Sequence, residues 1–367
     1  MKAPLVVAAL VIGSLLAVQQ AAAGTSGRLQ GTAVDQDGAP LPGVVVTVNS
    51  PTQIGGQQSV TSDAEGHYSF PALSPGSFAV SFSLDGFGRL EQTNVRIRLD
   101  GVTELNAHLS PAAVEDYITV TSEAPLVDPE RVGLAQTYPQ EYLRKAIIGS
   151  GGRSYQAVLA QTAGVVGTGN PNVLGSTGAE NAYYIDGTNT TDPVTATFGT
   201  NFNFDAIEEI SFQTAGFEAQ YGNATGGLVN LVTKSGGNQL SGTFDARYRT
   251  NDFAEQGKFF DPDRTKVKFL VPGATLGGPI RQDRLWFFAA YQYTDSQRTP
   301  EGATSTRQFE GNYYLGKLSW QVDERWELTA KYSTDPADIS NANAGRGRLP
   351  EANSFQEQGG DIIQTDL

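Results

Sequence analysis

From residue 240 onward, hydrophobic and polar residues alternate with a period of two. Leu240, Gly242, Phe244, Ala246 and Tyr248 alternate with Ser241, Thr243, Asp245, Arg247 and Arg249. The alternation recurs over 266–271, 284–295, 312–322 and 326–333. Over 312–322 one face carries Tyr314, Gly316, Leu318, Trp320 and Val322, and the other Lys317, Ser319 and Gln321. Over 326–333, Trp326, Leu328, Ala330 and Tyr332 oppose Glu327, Thr329, Lys331 and Ser333. Successive side chains of a strand point to opposite faces, so the pattern predicts five strands with one apolar face each. Each is about ten residues, the length a tilted membrane-crossing strand requires. The connections alternate: long at 251–264, short at 276–283, long at 296–311, short at 323–325, long at 335–358. Outer-membrane barrels have short periplasmic turns and long external loops. The first strand therefore rises from the periplasm, and Trp286, Trp320 and Trp326 fall at the periplasmic end, where an aromatic girdle belongs. Matching apolar faces pairs Val322 with Trp326 and Trp320 with Leu328, around Asp323-Glu324-Arg325.

Residues 28–109 carry a shorter rhythm. Strand-like runs at 29–34, 44–48, 59–62, 67–70 and 78–82 are separated by Asp37-Gly38, Pro42-Gly43, Glu65-Gly66 and Pro75-Gly76. Short strands between tight turns predict a β-sandwich. Asp35, Asp37 and Asp63 stand beside these glycines as turn residues rather than calcium ligands. Residues 110–235 change character. Short helices are predicted at 140–148 and 153–163, the second from Tyr155, Val158, Leu159 and Thr162 at helical spacing. Strands at 182–187, 207–212 and 228–233 surround them, so the stretch reads as mixed α/β.

The first residues follow neither period. Lys2 precedes an apolar run over 5–18, too short to cross a membrane as a helix, and Ala21-Ala22-Ala23 then precedes Gly24. This is the pattern of an export signal cleaved between Ala23 and Gly24.

Composition narrows the chemistry. The 367 residues hold no cysteine and two histidines, which removes thiolate sites and cysteine nucleophiles and leaves no multi-histidine metal site. No catalytic residue, metal ligand or cofactor site is assigned. A net charge of −14 argues against nucleic acid as a partner. Charged residues are only 17% while Gly is 42 of 367, a balance that suits turn-rich β-structure rather than disorder.

Specific motifs add a resemblance. The run Gly31, Ala33-Val34-Asp35, Asp37-Gly38 and Pro40-Leu41-Pro42-Gly43, then Thr61-Ser62-Asp63, Tyr68, Phe70, Pro75-Gly76 and Gly86-Phe87, resembles the regulatory-like β-sandwich of carboxypeptidases. It implies a fold and no peptidase activity. Residues 184–193 (YIDGTNTTDP) and 218–238 (EAQYGNATGGLVNLVTKSGGN) resemble the plug of a TonB-dependent outer-membrane receptor of the Oar-like type, as does 276–288 for a periplasmic turn. In that motif Asp186 reads as a turn former, and Gly226-Gly227 as a close backbone approach.

The expected organisation is a signal peptide (1–23), a β-sandwich (24–110), a coupling segment and plug (111–235), and the first antiparallel strands of a transmembrane β-barrel (236–367). The fold class is thus mainly β. The resemblance implies a barrel of roughly 22 strands, so the chain is expected to be the N-terminal part of a longer receptor. It also implies active import of a small or oligomeric bulky solute, TonB and outer-membrane lipid as partners, and location in the cell outer membrane with the β-sandwich and plug on the periplasmic side. Asp116, Tyr117, Ile118, Thr119, Val120 and Thr121 stand where the resemblance puts the TonB box, a segment that pairs with TonB by strand addition. The alternative is a secreted β-rich adhesin or carbohydrate-binding protein without transport.

Overall fold

The computed structural model describes residues 24–50, 57–111, 118–121, 134–146, 154–167, 169–217, 221, 224–253, 266–323 and 326–366. The expected signal peptide lies outside these residues up to Ala23.

The N-terminal unit comprises β1 (Gly27–Val34), β2 (Val45–Asn49), β3 (Gln58–Thr61), β4 (His67–Leu73), β5 (Gly76–Ser83), β6 (Leu90–Ile97), β7 (Val102–Glu104) and β8 (Ala107–His108). One sheet runs β4-β1-β7, with β8 also on β1. The other runs β3-β2-β5-β6 and ends on β9 (Ile118–Thr121). The period-two residues fill the core between them: Val46, Val48, Phe78, Val80 and Phe82 are all buried. Asp35 and Asp63 act as turn residues. The Asp35 Oδ1 accepts from the amides of Asp37 and Ala39, and the Asp63 Oδ1 from those of Glu65 and His67.

The middle unit comprises β10 (Leu134–Pro139), α1 (Gln140–Lys145), α2 (Tyr155–Leu159), β11 (Val165–Val166), β12 (Asn172–Val173), β13 (Ala182–Ile185), β14 (Thr188–Asn189), β15 (Ile207–Ala215) and β16 (Leu228–Thr233). Its sheet runs β10-β15-β16-β13-β14, with β13 parallel to β16. Every residue of β16 is buried, so this strand is covered on both faces. Its core joins Ile210, Phe212 and Leu231 to Val158 and Leu159 of α2. The helices are shorter than their sequence pattern: the backbone turns extended at Ala146 after α1, and α2 starts from a Ser154 cap and stops at Ala160.

The C-terminal unit is one sheet of β17 (Ser241–Thr250), β18 (Val267–Arg281), β19 (Leu285–Arg298), β20 (Arg307–Gln321), β21 (Glu327–Thr334), β22 (Ala337–Ser340), β23 (Gln356–Gln358) and β24 (Asp361–Asp366). The order is β17-β18-β19-β20-β21-β24, with β22 and β23 extending the long-loop end of β20. The predicted hairpin register is present: Trp320 opposes Leu328, and the Val322 amide donates to the Trp326 carbonyl. Along β20, Tyr314, Leu318 and Trp320 are exposed while Tyr313, Leu315, Lys317 and Ser319 are buried. The face that carries the lysine is therefore the covered one.

Two expectations fail here. The short connection at 276–283 is strand as far as Arg281, and the turn is only 282–284. Gly277, Gly278 and Pro279 suggest a turn by composition. In the structure Gly278 admits the Leu240 main chain, and Pro279 stands at a register shift, where a missing amide is tolerated. Trp286 is not part of a lipid-facing girdle. It lies on the covered face of β19, fully buried, and its Nε1 donates to the Asn238 Oδ1 at 2.9 Å. One residue of offset moves a side chain through the sheet. Trp320 and Trp326 do lie exposed at the short-turn end.

Candidate functional site

The middle unit packs on the covered face of the C-terminal sheet, in the manner of a plug against a barrel wall. Ala206 joins a small core with Phe288, Ala290 and Leu315. The Asn203 Nδ2 donates to the Tyr291 carbonyl at 2.9 Å, and the Asn201 amide to the Asp335 carboxylate at 2.7 Å. A cavity of about 220 Å³ remains between the two units. Tyr155 and Phe202 line it from the plug, and Gln292, Arg307, Phe309 and Tyr313 from the wall, toward its long-loop end.

The most strongly charged contact is built on Asp186. Asp186 and Gly187 both have positive φ, 48° and 81°, and form the two-residue loop that joins β13 to β14. This is the turn role predicted for Asp186. The same turn carries the carboxylate across β16 to the wall. Its Oδ1 accepts from the Thr233 amide at 2.7 Å, and its Oδ2 from the Thr233 hydroxyl at 2.7 Å. The Lys331 Nζ donates to Oδ2 at 2.7 Å, and the Lys317 Nζ lies 3.6 Å from Oδ1. The three side chains retain 7% (Asp186), 7% (Lys317) and 2% (Lys331) exposure, so water does not screen them. Lys317 also donates to the Thr233 carbonyl, and Gln364 of β24 donates to the Asp186 carbonyl. Burial alone would raise the Asp186 carboxyl. The two ammonium groups and the hydrogen bonds from Lys331 and Thr233 outweigh it and hold the group well below the usual carboxylate range. Sequence reasoning placed both lysines on the polar face and missed their partner. The available signal was a cationic pair in a face otherwise of Ser, Thr, Gln and one Glu.

A second contact joins the sandwich to the plug. Glu209 of β15 is fully buried and accepts from the Leu99 amide at 2.6 Å and from the Arg96 guanidinium at 2.9 Å. Burial pushes its carboxyl up, against the opposing pull of those two donors. Beside it the Asn230 Nδ2 donates to the Asp100 carboxylate and to the carbonyl of Gly24, the residue after the expected cleavage point.

Of the expected coupling segment, Asp116 and Tyr117 lie outside the described residues. Ile118, Thr119, Val120 and Thr121 form β9, which pairs in parallel with β6 through Leu90–Ile118, Glu91–Thr119, Gln92–Val120 and Thr93–Thr121. Among the described residues, no group of three or more His, Cys, Asp or Glu is placed to hold a metal ion.

The fold and these contacts define a class: a β-sandwich, then a plug seated on the wall strands of an outer-membrane β-barrel. Residues 28–110 match the carboxypeptidase regulatory-like domain, and residues 232–308 match an outer membrane beta barrel domain. The chain is a relative of the TonB-dependent transporter Oar of Myxococcus xanthus, 31% identical over 350 residues that cover 90% of this chain and 33% of that protein. It thus spans about a third of the length of the relative it matches. Among solved structures it is similar to the siderophore receptor PirA of Acinetobacter baumannii, with 18% identity, TM-score 0.48, and coverage of 60% of this chain and 34% of that one. It is also similar to the ferric enterobactin receptor PfeA of Pseudomonas aeruginosa, with 16% identity, TM-score 0.43, and coverage of 57% and 34%. The protein is located in the outer membrane.

Proposed function

We propose that this chain forms the periplasmic and first barrel portion of a receptor that imports a bulky solute, with energy delivered through TonB. The observation that carries this reading is the buried Asp186 carboxylate between Lys317 and Lys331, which fixes a plug to the wall of an outer-membrane sheet. A seated plug closes the lumen, so import requires work on the plug. The segment 116–121 stands upstream of the plug and supplies a place to apply that work. Its composition suits strand addition, in which main-chain hydrogen bonds supply most of the affinity. No covalent chemistry is required, and the chain acts as a transporter rather than an enzyme. The sandwich and plug face the periplasm.

The test is Ile118→Pro in the full-length receptor. Proline removes an amide donor and fixes φ. Capture of the receptor by the purified periplasmic domain of TonB is expected to be lost, while heat-modifiable migration and outer-membrane location persist. Capture at the normal level would contradict the assignment. Failure to reach the outer membrane would make the segment structural and contradict it equally.

A further inference from the structure

β9 is the last strand of its sheet. The order β3-β2-β5-β6-β9 leaves it paired on one side by β6 and, among the described residues, by no strand on the other. A terminal strand presents a row of main-chain donors and acceptors ready for another strand, and proteins ordinarily cover, shorten or charge such an edge. The edge here belongs to the segment proposed to meet TonB.

The strand behind it is tied to the plug. β6 pairs with Ile118–Thr121 along Leu90–Thr93. At its other end Arg96, and just beyond it Leu99, both donate to the buried Glu209 of β15. Asp100 follows and accepts from Asn230 of β16. One short stretch, 90–100, therefore touches the segment at one end and two central strands of the plug sheet at the other.

We infer that the sandwich presents the coupling segment as the open last strand of its own sheet, so that the strand donated by TonB adds to the outer edge of β9 while β9 stays on β6. This rests on the reading of 118–121 as the coupling segment. The partner is an extended peptide strand recognised through its main chain. The consequence is a hydrogen-bonded route from TonB through β9 and β6 to Glu209. In the opposite arrangement TonB would first have to peel the segment off the sandwich.

A cross-link separates the two. Glu91 and Thr119 are direct partners across β6 and β9. In the full-length receptor, Glu91→Cys with Thr119→Cys is expected to form a disulfide in high yield on mild oxidation. Thr61→Cys with Thr119→Cys, which spans the sheet from β3 to β9, is expected to form none. The oxidised Glu91–Thr119 receptor should capture the TonB periplasmic domain with an affinity within about twofold of its reduced form. A loss of tenfold or more on oxidation, restored by reductant, would overturn the presentation while leaving the segment assignment standing. Equal disulfide yields from the two pairs would overturn the docking on β6. Absence of capture by the reduced receptor would overturn the segment assignment and this inference with it.

Discussion

Lys317 and Lys331 are direct cross-strand partners on β20 and β21. Like charges opposite one another destabilise a sheet, and these two are buried. The wall strands therefore carry an electrostatic cost, and the plug supplies the carboxylate that contacts both ammonium groups, from the turn after β13. Asp186 is what makes the wall and the plug fit as a pair.

This geometry fixes a pH dependence. A carboxyl whose folded value is depressed contributes stability above its unfolded value and loses it only as pH falls through the lowered folded value. The Asp186 contact should therefore be intact from about pH 7 down to about pH 4, the ordinary carboxylate range. The hydrogen-exchange protection factor of the Thr233 amide reads it directly. Protection that declines between pH 6 and 5 would contradict the ionised, paired Asp186.

Glu209 behaves oppositely. A carboxyl raised by burial contributes most below its unfolded value and loses that contribution as pH rises through the raised value. Acidification from neutral pH should therefore tighten the sandwich on the plug, and Glu209→Gln should stay docked. Glu209→Ala leaves the Leu99 amide without its acceptor and should weaken docking by about 1–3 kcal/mol. Limited proteolysis between the two units checks the order, with the alanine variant cleaved fastest.

The tryptophans should divide in fluorescence. In lipid brominated near the headgroup, variants retaining only Trp320 or only Trp326 should be quenched strongly. A variant retaining only Trp286 should be quenched little, because its ring is enclosed and its Nε1 is bonded to Asn238. Equal quenching of all three would return Trp286 to the lipid face.

Gly227→Ala should loosen the plug. An added Cβ would stand 2.7 Å from a ring carbon of Phe212 and 2.9 Å from a methyl of Val173. Overpacking of this kind costs about 1–3 kcal/mol. The denaturation midpoint of the plug, followed by near-ultraviolet circular dichroism, should fall accordingly, and an unchanged midpoint would show that the site has room.

The wall was legible because period-two alternation and turn length both survive in one sequence. The hairpin of β20 and β21 follows from matching Val322 with Trp326 and Trp320 with Leu328. Pro279 and Gly278 misled because composition reports turn residues without reporting the bulge that lets a strand absorb them. Trp286 follows the parity of its strand rather than its nearness to a turn: Leu285, Phe287, Ala289 and Tyr291 share the apolar face, which leaves Trp286 on the covered one. The Asp186 cluster was half legible. The Asp-Gly turn is local, but the lysines that complete it lie 131 and 145 positions away, as the Asp186–Lys317 and Asp186–Lys331 pairs show. No pattern within one strand links them. The Glu209 contact joins two folding units and left no periodic trace at all.

The most direct measurement is a double-mutant cycle on Asp186→Asn and Lys331→Gln in the full-length receptor, read as protection of the Thr233 amide. Removing one partner of a buried pair costs about 3–5 kcal/mol, because the other charge stays buried and unpaired. Asp186→Asn alone should therefore lower protection by about two decades or more. Adding Lys331→Gln removes one stranded ammonium, so the double variant should regain part of that loss, with a coupling of about 1–3 kcal/mol. Strictly additive losses, or an Asp186→Asn variant as protected as the parent, would mean that the plug is held to the wall by something other than this carboxylate.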